Sequence, residues 1–294
     1  MTGPDAAEHV GPVPVRVLAS FGLTGQQTPL PGGRGLAVRV DDAVLLPAPD
    51  VAASTWAAEV AERLRSPDVR MPRPLRSGDG RWVVDGWSAS EHVTGVDSPA
   101  GRWRELLDTA RSLHRELAHE PVPAWLAGRQ DPWAEADRAA WGEKAPTPGP
   151  VTAPLVARLL QARTTLPQVL PDQLVHGDLT GNVLLPVHEG HSPPTVIDLS
   201  PYWRPAEAAV AVVVADGLLW HDAGPELVAR ADLGTCGPQL LVRALLFRLL
   251  ALDALTRDKP AATAAEIPAH EAAARLVLAL AAASGDRPRR TSAP

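Results

Sequence analysis

The segment Leu174-Val175-His176-Gly177-Asp178-Leu179-Thr180-Gly181-Asn182-Val183-Leu184-Leu185 places an aspartate and an asparagine on a glycine-bearing loop leading into an apolar strand. Sixteen residues beyond Asn182, at the end of the next apolar run, stands Asp198. Phosphoryl transfer uses such a set. One carboxylate orients and deprotonates an attacking hydroxyl, and further oxygen ligands hold Mg²⁺ against nucleotide phosphates. Loops at strand ends can bring all three side chains to one ion.

Each of these residues also has a plainer reading. An aspartate in a glycine-containing loop is commonly a turn residue, and Asp198 could cap a strand end. His176 reads as a structural histidine bonding backbone groups. Asp216, inside an apolar helical run, must find hydrogen-bond donors if buried, and anchoring the loop around Asp178 would supply them. Tyr202 and Trp203 read as packing aromatics. Two other chemistries fail on their patterns. Gly86-Trp87-Ser88-Ala89-Ser90 ends in serine where a nucleophile elbow needs glycine. His188 and His191 lie in a Pro/Gly-rich loop without the rigid helix that such metal ligands require.

The elements that would position this chemistry fall into two groups. From Arg34 to Pro47 two β-prone runs flank Asp41-Asp42, a hairpin entered through Gly32-Gly33-Arg34-Gly35. Ser54 to Leu64 carries Trp56, Val60 and Leu64 at helical spacing, with Ser54 as cap. Strands are expected over Arg81–Val84 and Gly86–Val93, after a turn at Gly78-Asp79-Gly80. Beyond about Gly95 the chain turns mainly helical, with segments near 102–117, 133–141, 153–166, 206–221, 239–255 and 270–283. The pattern is interrupted between Pro167 and Pro205 by the short strands Val183-Leu184-Leu185 and Thr195-Val196-Ile197. The expected division is a flexible tail over 1–14, a small α+β lobe over 15–93, a helical lobe over 94–284 bearing the reactive loop, and a flexible tail over 285–294.

At 294 residues the chain can bury a substantial core without disulfides, and its single Cys236 excludes a disulfide framework or a Cys-rich zinc site. The net charge of −6 argues against a nucleic-acid surface. The most apolar stretch, 206–219, is interrupted by Glu207 and Asp216 and falls short of the roughly 20 residues of a membrane span. The N-terminal residues have neither a basic leader nor an apolar run. A cytoplasmic protein acting on a small molecule, with no nucleic-acid or membrane partner, is the expectation; oligomeric state is not legible. Asp97, Glu135, Asp137, Asp222 and Glu226 could favour a cationic acceptor or could simply be solvated.

In its two blocks, His176 to Asn182 and Ile197-Asp198-Leu199-Ser200-Pro201-Tyr202-Trp203-Arg204-Pro205, the chain resembles the aminoglycoside phosphotransferase and choline kinase-like family, in particular an actinobacterial branch. The resemblance runs from about Thr28 to Ala283. It implies a two-lobed, protein-kinase-like α+β fold with a small β-rich N-terminal lobe and a larger, mainly helical C-terminal lobe. It also implies ATP or GTP as co-substrate with Mg²⁺, Asp178 as catalytic base, Asn182 and Asp198 as metal ligands, and Glu59 as the ion-pairing acid of the first lobe. Gly33 and Gly35 would belong to the nucleotide-binding turn.

Two departures stand out. Asn182 follows Asp178 by four residues where most of the wider family has five, a change that Gly181 could absorb by adopting a backbone conformation closed to other residues. Leu46 occupies the strand position where the resembling branch carries the phosphate-bridging lysine. If Asp41-Asp42 is a two-residue turn, Val40 pairs with Ala43, Arg39 with Val44 and Ala37 with Leu46. Arg39 then shares a face with Leu46, from which it could reach phosphate oxygens or Glu59. The competing reading is a pseudokinase-like binding protein without turnover.

Overall fold

The computed structural model describes residues 12–31, 35–187 and 192–285. Gly33, His188, His191 and the expected C-terminal tail after Gly285 lie outside these residues. In chain order the elements are α1 (Val15–Ser20), β1 (Thr28–Pro29), β2 (Val38–Val40), β3 (Ala43–Pro47), α2 (Val51–Arg63), β4 (Val83–Val84) and β5 (Trp87–Glu91). Then follow α3 (Trp103–Leu117), α4 (Pro132–Trp141), α5 (Ala153–Ala162), β6 (Gln173–His176), β7 (Val183–Leu184), β8 (Thr195–Val196) and β9 (Pro201–Arg204). The chain closes with α6 (Ala206–Trp220), α7 (Pro225–Ala231), α8 (Gly237–Leu255) and α9 (Pro260–Gly285). It forms two compact units. The first takes the residues up to Ser98 together with Gly181–Leu199, and the second takes Pro99–Thr180 and everything from Ser200 onward.

The first unit is built on an antiparallel sheet of order β1-β2-β3-β5-β4. Alternation along β2 and β3 sends Val38, Val40, Ala43 and Leu45 inward and leaves Arg39, Val44 and Leu46 on the other face. Val38, Val40 and Leu45 pack with Val13, Val17 and Leu18 from around α1, and with Val84, Trp87 and Ala89. The hairpin register is the expected one, with Val40 opposite Ala43 and Arg39 opposite Val44. Asp41, in the left-handed region at φ 54°, accepts the Thr24 and Gly25 N–H groups and so ties the preceding loop to the turn. A second two-residue turn, Asp85-Gly86, has positive φ at both residues, the geometry that suits a tight β4–β5 hairpin.

Local differences from the sequence reading have local causes. Helix α2 starts three residues before Ser54, because the Asp50 carboxylate accepts the Ala53 N–H and caps it. Val13 falls within the expected tail yet is buried, and its N–H and C=O are both bonded by the Gln27 side chain. The hairpin of β7 and β8 joins this unit through bridges from Arg70 to Thr195 and from Val96 to Leu185.

In the second unit α8 is the central helix, packed by α4, α5, α6 and α9, and its buried face runs nearly all round from Leu240 to Leu252. Helices α3 and α6 flank the short antiparallel pair β6–β9, which the sequence reading did not identify as strands. This pair joins the two motif blocks, with His176 opposite Pro201 and Val175 opposite Tyr202. Among the described residues no helix is long and apolar enough to cross a membrane.

Candidate active site

The loop carrying Asp178 is held from below by two histidines. His176, fully buried at the end of β6, donates its backbone N–H to His114 Nε2 at 3.1 Å, and its own Nδ1 accepts the Asp178 N–H at 3.2 Å. His176 therefore has the structural role expected of it. His114, on α3, must be neutral to accept that bond. Burial, and secondarily the neighbouring His176, push its pKa down to about 3. The Gln173 side chain donates to the His114 carbonyl at 2.6 Å and ties α3 to the start of β6.

Gly177 is required by packing. A Cβ placed there would overlap the ring of Tyr202, which is buried opposite on β9 and meets Phe247 edge to face at 5.6 Å. Tyr202 is thus a packing aromatic, its hydroxyl pushed upward in pKa chiefly by burial. Gly177→Ala is expected to cost about 1–3 kcal/mol, the usual range for overpacking. Adding Tyr202→Leu should restore part of it. Urea midpoints for the two variants test this, and an unchanged midpoint for Gly177→Ala would show that the loop is not packed this way.

Asp178 is bonded by a residue that the sequence reading did not single out. Arg248 of α8 donates Nη2 to Asp178 Oδ1 at 2.7 Å, and donates Nε and Nη2 to the two Asp216 oxygens at 2.6 and 2.7 Å. The Arg248 and Asp216 side chains are each 2% exposed, whereas that of Asp178 is 43% exposed. Burial pushes the Asp216 carboxyl up against the pull of Arg248, and the two carboxylates hold Arg248 firmly protonated. Asp216 does anchor the loop, but through this arginine. The available signal was Arg248 itself, a lone charge in the apolar run Leu245-Leu246-Phe247-Arg248-Leu249-Leu250, since a buried charge requires a partner.

Asn182 and Asp198 belong to the other unit, at the open end of the β7–β8 hairpin. The Asn182 carbonyl accepts the Ile197 N–H at 2.9 Å, just beyond the Val183–Val196 pair, so the two candidate ligands stand on adjoining strand ends. Asp198 has φ 50°, a left-handed conformation costly for a residue with a side chain. Gly181 has φ 83°, the conformation expected to absorb the shortened loop. An amide oxygen and a carboxylate are hard donors and fit Mg²⁺, which binds through one or two carboxylates plus substrate phosphates. Asn182 and Asp198 are the residues that would hold it.

The remaining candidates lie in the first unit. Gly35 has φ 68°, a turn conformation suited to glycine. Arg39 lies on the expected face, but its Nε donates to the Asp41 carbonyl at 3.0 Å and a guanidinium nitrogen lies 3.8 Å from Asp42. Glu59 instead lies 4.0 Å from Arg63 on its own helix. The expected reach of Arg39 to Glu59 is therefore not made, because the turn next to Arg39 offers closer acceptors. Leu46 is 37% exposed on β3 and brings no cation. Of the acidic residues considered for a cationic acceptor, Glu135 pairs with Arg138 and Lys144, Asp137 with Arg204, and Glu226 accepts the Gly224 N–H at the start of α7.

No protein-family model matches the chain, and no curated protein matches it. Solved structures do. An aminoglycoside phosphotransferase from Alicyclobacillus acidocaldarius subsp. acidocaldarius DSM 446 is similar with TM-score 0.61 at 13% identity, over 92% of this chain and 96% of that one. A thermostable mutant of aminoglycoside phosphotransferase APH(4)-Ia, in ternary complex with AMP-PNP and hygromycin B, gives 0.60 at 16% identity over 93% and 98%. The GDP complex of aminoglycoside 2'-phosphotransferase-IIIa gives 0.55 at 15% identity over 89% and 96%. The chain thus has the two-lobed, kinase-like α+β fold of these structures, with a small sheet-bearing part and a larger helical part.

Proposed function

We propose that the protein is a phosphotransferase that moves the terminal phosphoryl group of ATP or GTP to a hydroxyl of a small molecule, aminoglycoside-like, a sugar or an amino alcohol. The observation that carries this reading is that Asn182 and Asp198 stand at adjoining strand ends of one hairpin, held by the Ile197 N–H bond to the Asn182 carbonyl, in a fold shared with phosphotransferases crystallised with AMP-PNP or GDP. In the proposed reaction the acceptor oxygen forms a bond to the γ-phosphorus as the bond from that phosphorus to the β-bridging oxygen breaks. The hydroxyl proton passes to the Asp178 carboxylate. Bound Mg²⁺ would neutralise phosphate charge in such chemistry. Gly33 and Gly35 are assigned to the nucleotide-binding turn, and Arg39 and Glu59 to the same lobe's nucleotide side. A cytoplasmic setting supplies the nucleotide and suits a chain with one cysteine.

Leu46 favours a second reading, in which the fold binds nucleotide or another ligand without turnover. Both readings expect Mg²⁺ with ATP or GTP to raise the melting temperature, since a ligand at 100 times its Kd adds about 2.7 kcal/mol. Asp198→Ala should remove the Mg²⁺-dependent part of that shift. No shift with either nucleotide at millimolar concentration, with or without a divalent ion, would overturn the phosphotransferase reading. Binding without transfer to any hydroxyl acceptor would favour the second.

A further inference from the structure

The Asp178 carboxylate sits at the exposed end of a chain of contacts whose other end is fully buried. Arg248 is gripped first by Asp216, whose two oxygens take Nε and Nη2 in a side-on, bidentate contact that fixes the guanidinium plane. Aromatic rings limit any other placement: Phe247, Trp133 and Trp220 have centroids 5.1, 5.7 and 5.9 Å from the guanidinium carbon. With its plane fixed, Arg248 has one further Nη2 hydrogen directed outward, and that donor meets Asp178 Oδ1 at 2.7 Å. An ion pair serving stability alone would be complete with Asp216.

We propose that Arg248 is a positioning residue for Asp178. It holds one carboxylate oxygen from the buried side, so that the exposed edge of the group has a fixed direction toward an acceptor hydroxyl. Asp216 acts one step further back, by seating Arg248. A lysine could not replace the arginine. Its compact ammonium lacks the planar fork that spans two carboxylates in a defined geometry.

The proposal rests on the phosphotransferase reading of Asp178, and two measurements separate the fates of the two. The first is the three-bond coupling between the backbone nitrogen and Cγ of Asp178 in isotopically labelled protein, which reports its χ1 rotamer without turnover. The wild type is expected to give the value of a single rotamer. Arg248→Lys should give an averaged value, and Asp216→Asn, which keeps the arginine but loosens its seat, should fall between. The second is Mg²⁺-dependent hydrolysis of ATP and GTP with water as acceptor. Arg248→Lys is expected to lower kcat about 10²-fold, the scale of a misplaced reacting group, with little change in KM for nucleotide. A single, unchanged Asp178 rotamer in both variants overturns the proposal whatever the activity. A wild-type kcat in Arg248→Lys overturns it as well. Absence of hydrolysis in the wild type counts against the phosphotransferase reading alone, since the couplings still decide whether Arg248 holds Asp178.

Discussion

Replacing Asp178 by asparagine is expected to lower phosphoryl transfer by roughly 10² to 10⁴, the range associated with a positioned general base, while Mg²⁺-dependent nucleotide binding stays close to that of the wild type. The two effects separate because of where the residue sits. Asn182 and Asp198, the groups assigned to the metal, lie on a different hairpin from the loop bearing Asp178. The asparagine keeps the shape of the side chain, and its amide oxygen can still accept from Arg248 Nη2, so the loop should keep its conformation. What is lost is the charge proposed to take the hydroxyl proton. Transfer from ATP or GTP to a panel of aminoglycosides, sugars and amino alcohols would supply the rate, and calorimetric nucleotide binding the control. Full activity in the variant would remove Asp178 from the role of base. A parallel loss of nucleotide affinity would show that it belongs to the nucleotide site instead.

Acid is expected to destabilise the fold well before its carboxylates are protonated, with His114 as a main cause. Its folded pKa of about 3 lies below the 6.5 of an unperturbed histidine, so between these values the unfolded chain binds a proton that the folded chain refuses. Stability from this group is therefore complete above about pH 6.5, declines as pH falls and is fully lost near pH 3. The span corresponds to something on the order of 5 kcal/mol, with roughly 2 kcal/mol gone by pH 5. Protonation of Nε2 would also remove the acceptor of the His176 N–H, so the loop beside Asp178 should loosen as the fold weakens. Burial also lowers the pKa of His221 and His270, which adds to the same limb. Urea midpoints measured from pH 7 to 4 for the wild type and His114→Gln provide the test. The variant should show a flatter dependence, and identical slopes would remove His114 as the cause.

The parts of the site that could be read from the sequence are those determined by short-range rules. Oxygen donors on loops at strand ends make Asp178, Asn182 and Asp198 the candidates for phosphoryl chemistry, and the strand ends are where the structure has them. A two-residue turn fixes a hairpin register, so the pairing of Arg39 with Val44 followed from Asp41-Asp42 alone. Alternation gives the face of Arg39 but not the direction of its long side chain, whose Nε bonds the neighbouring turn rather than Glu59. Arg248 stood out as a lone charge in an apolar run, but its partners could not be read because they lie 70 and 32 residues away in sequence. Helix α1 has only six residues, too few for a periodic pattern, and Pro268 conceals the first turns of α9, which begins at Pro260 rather than His270. The strands β6 and β9 went unnoticed because each is four residues long and sits inside a segment rich in reactive side chains.

The return of Gly181–Leu199 to the first unit has a consequence for synthesis. On the ribosome the residues up to Ser98 emerge first, but Arg70 and Val96 reach their bridging partners, Thr195 and Leu185, only about a hundred residues later. At ordinary elongation rates of about 5–20 residues per second, that is a wait of roughly 5 to 20 s. During it the Arg70 N–H and C=O, later bonded to Pro194 and Val196, and the Val96 groups, later bonded to Leu185, remain open to water or to another chain. The nascent first unit therefore lacks these two bridges until the β7–β8 hairpin, whose open end bears Asp198, has been made.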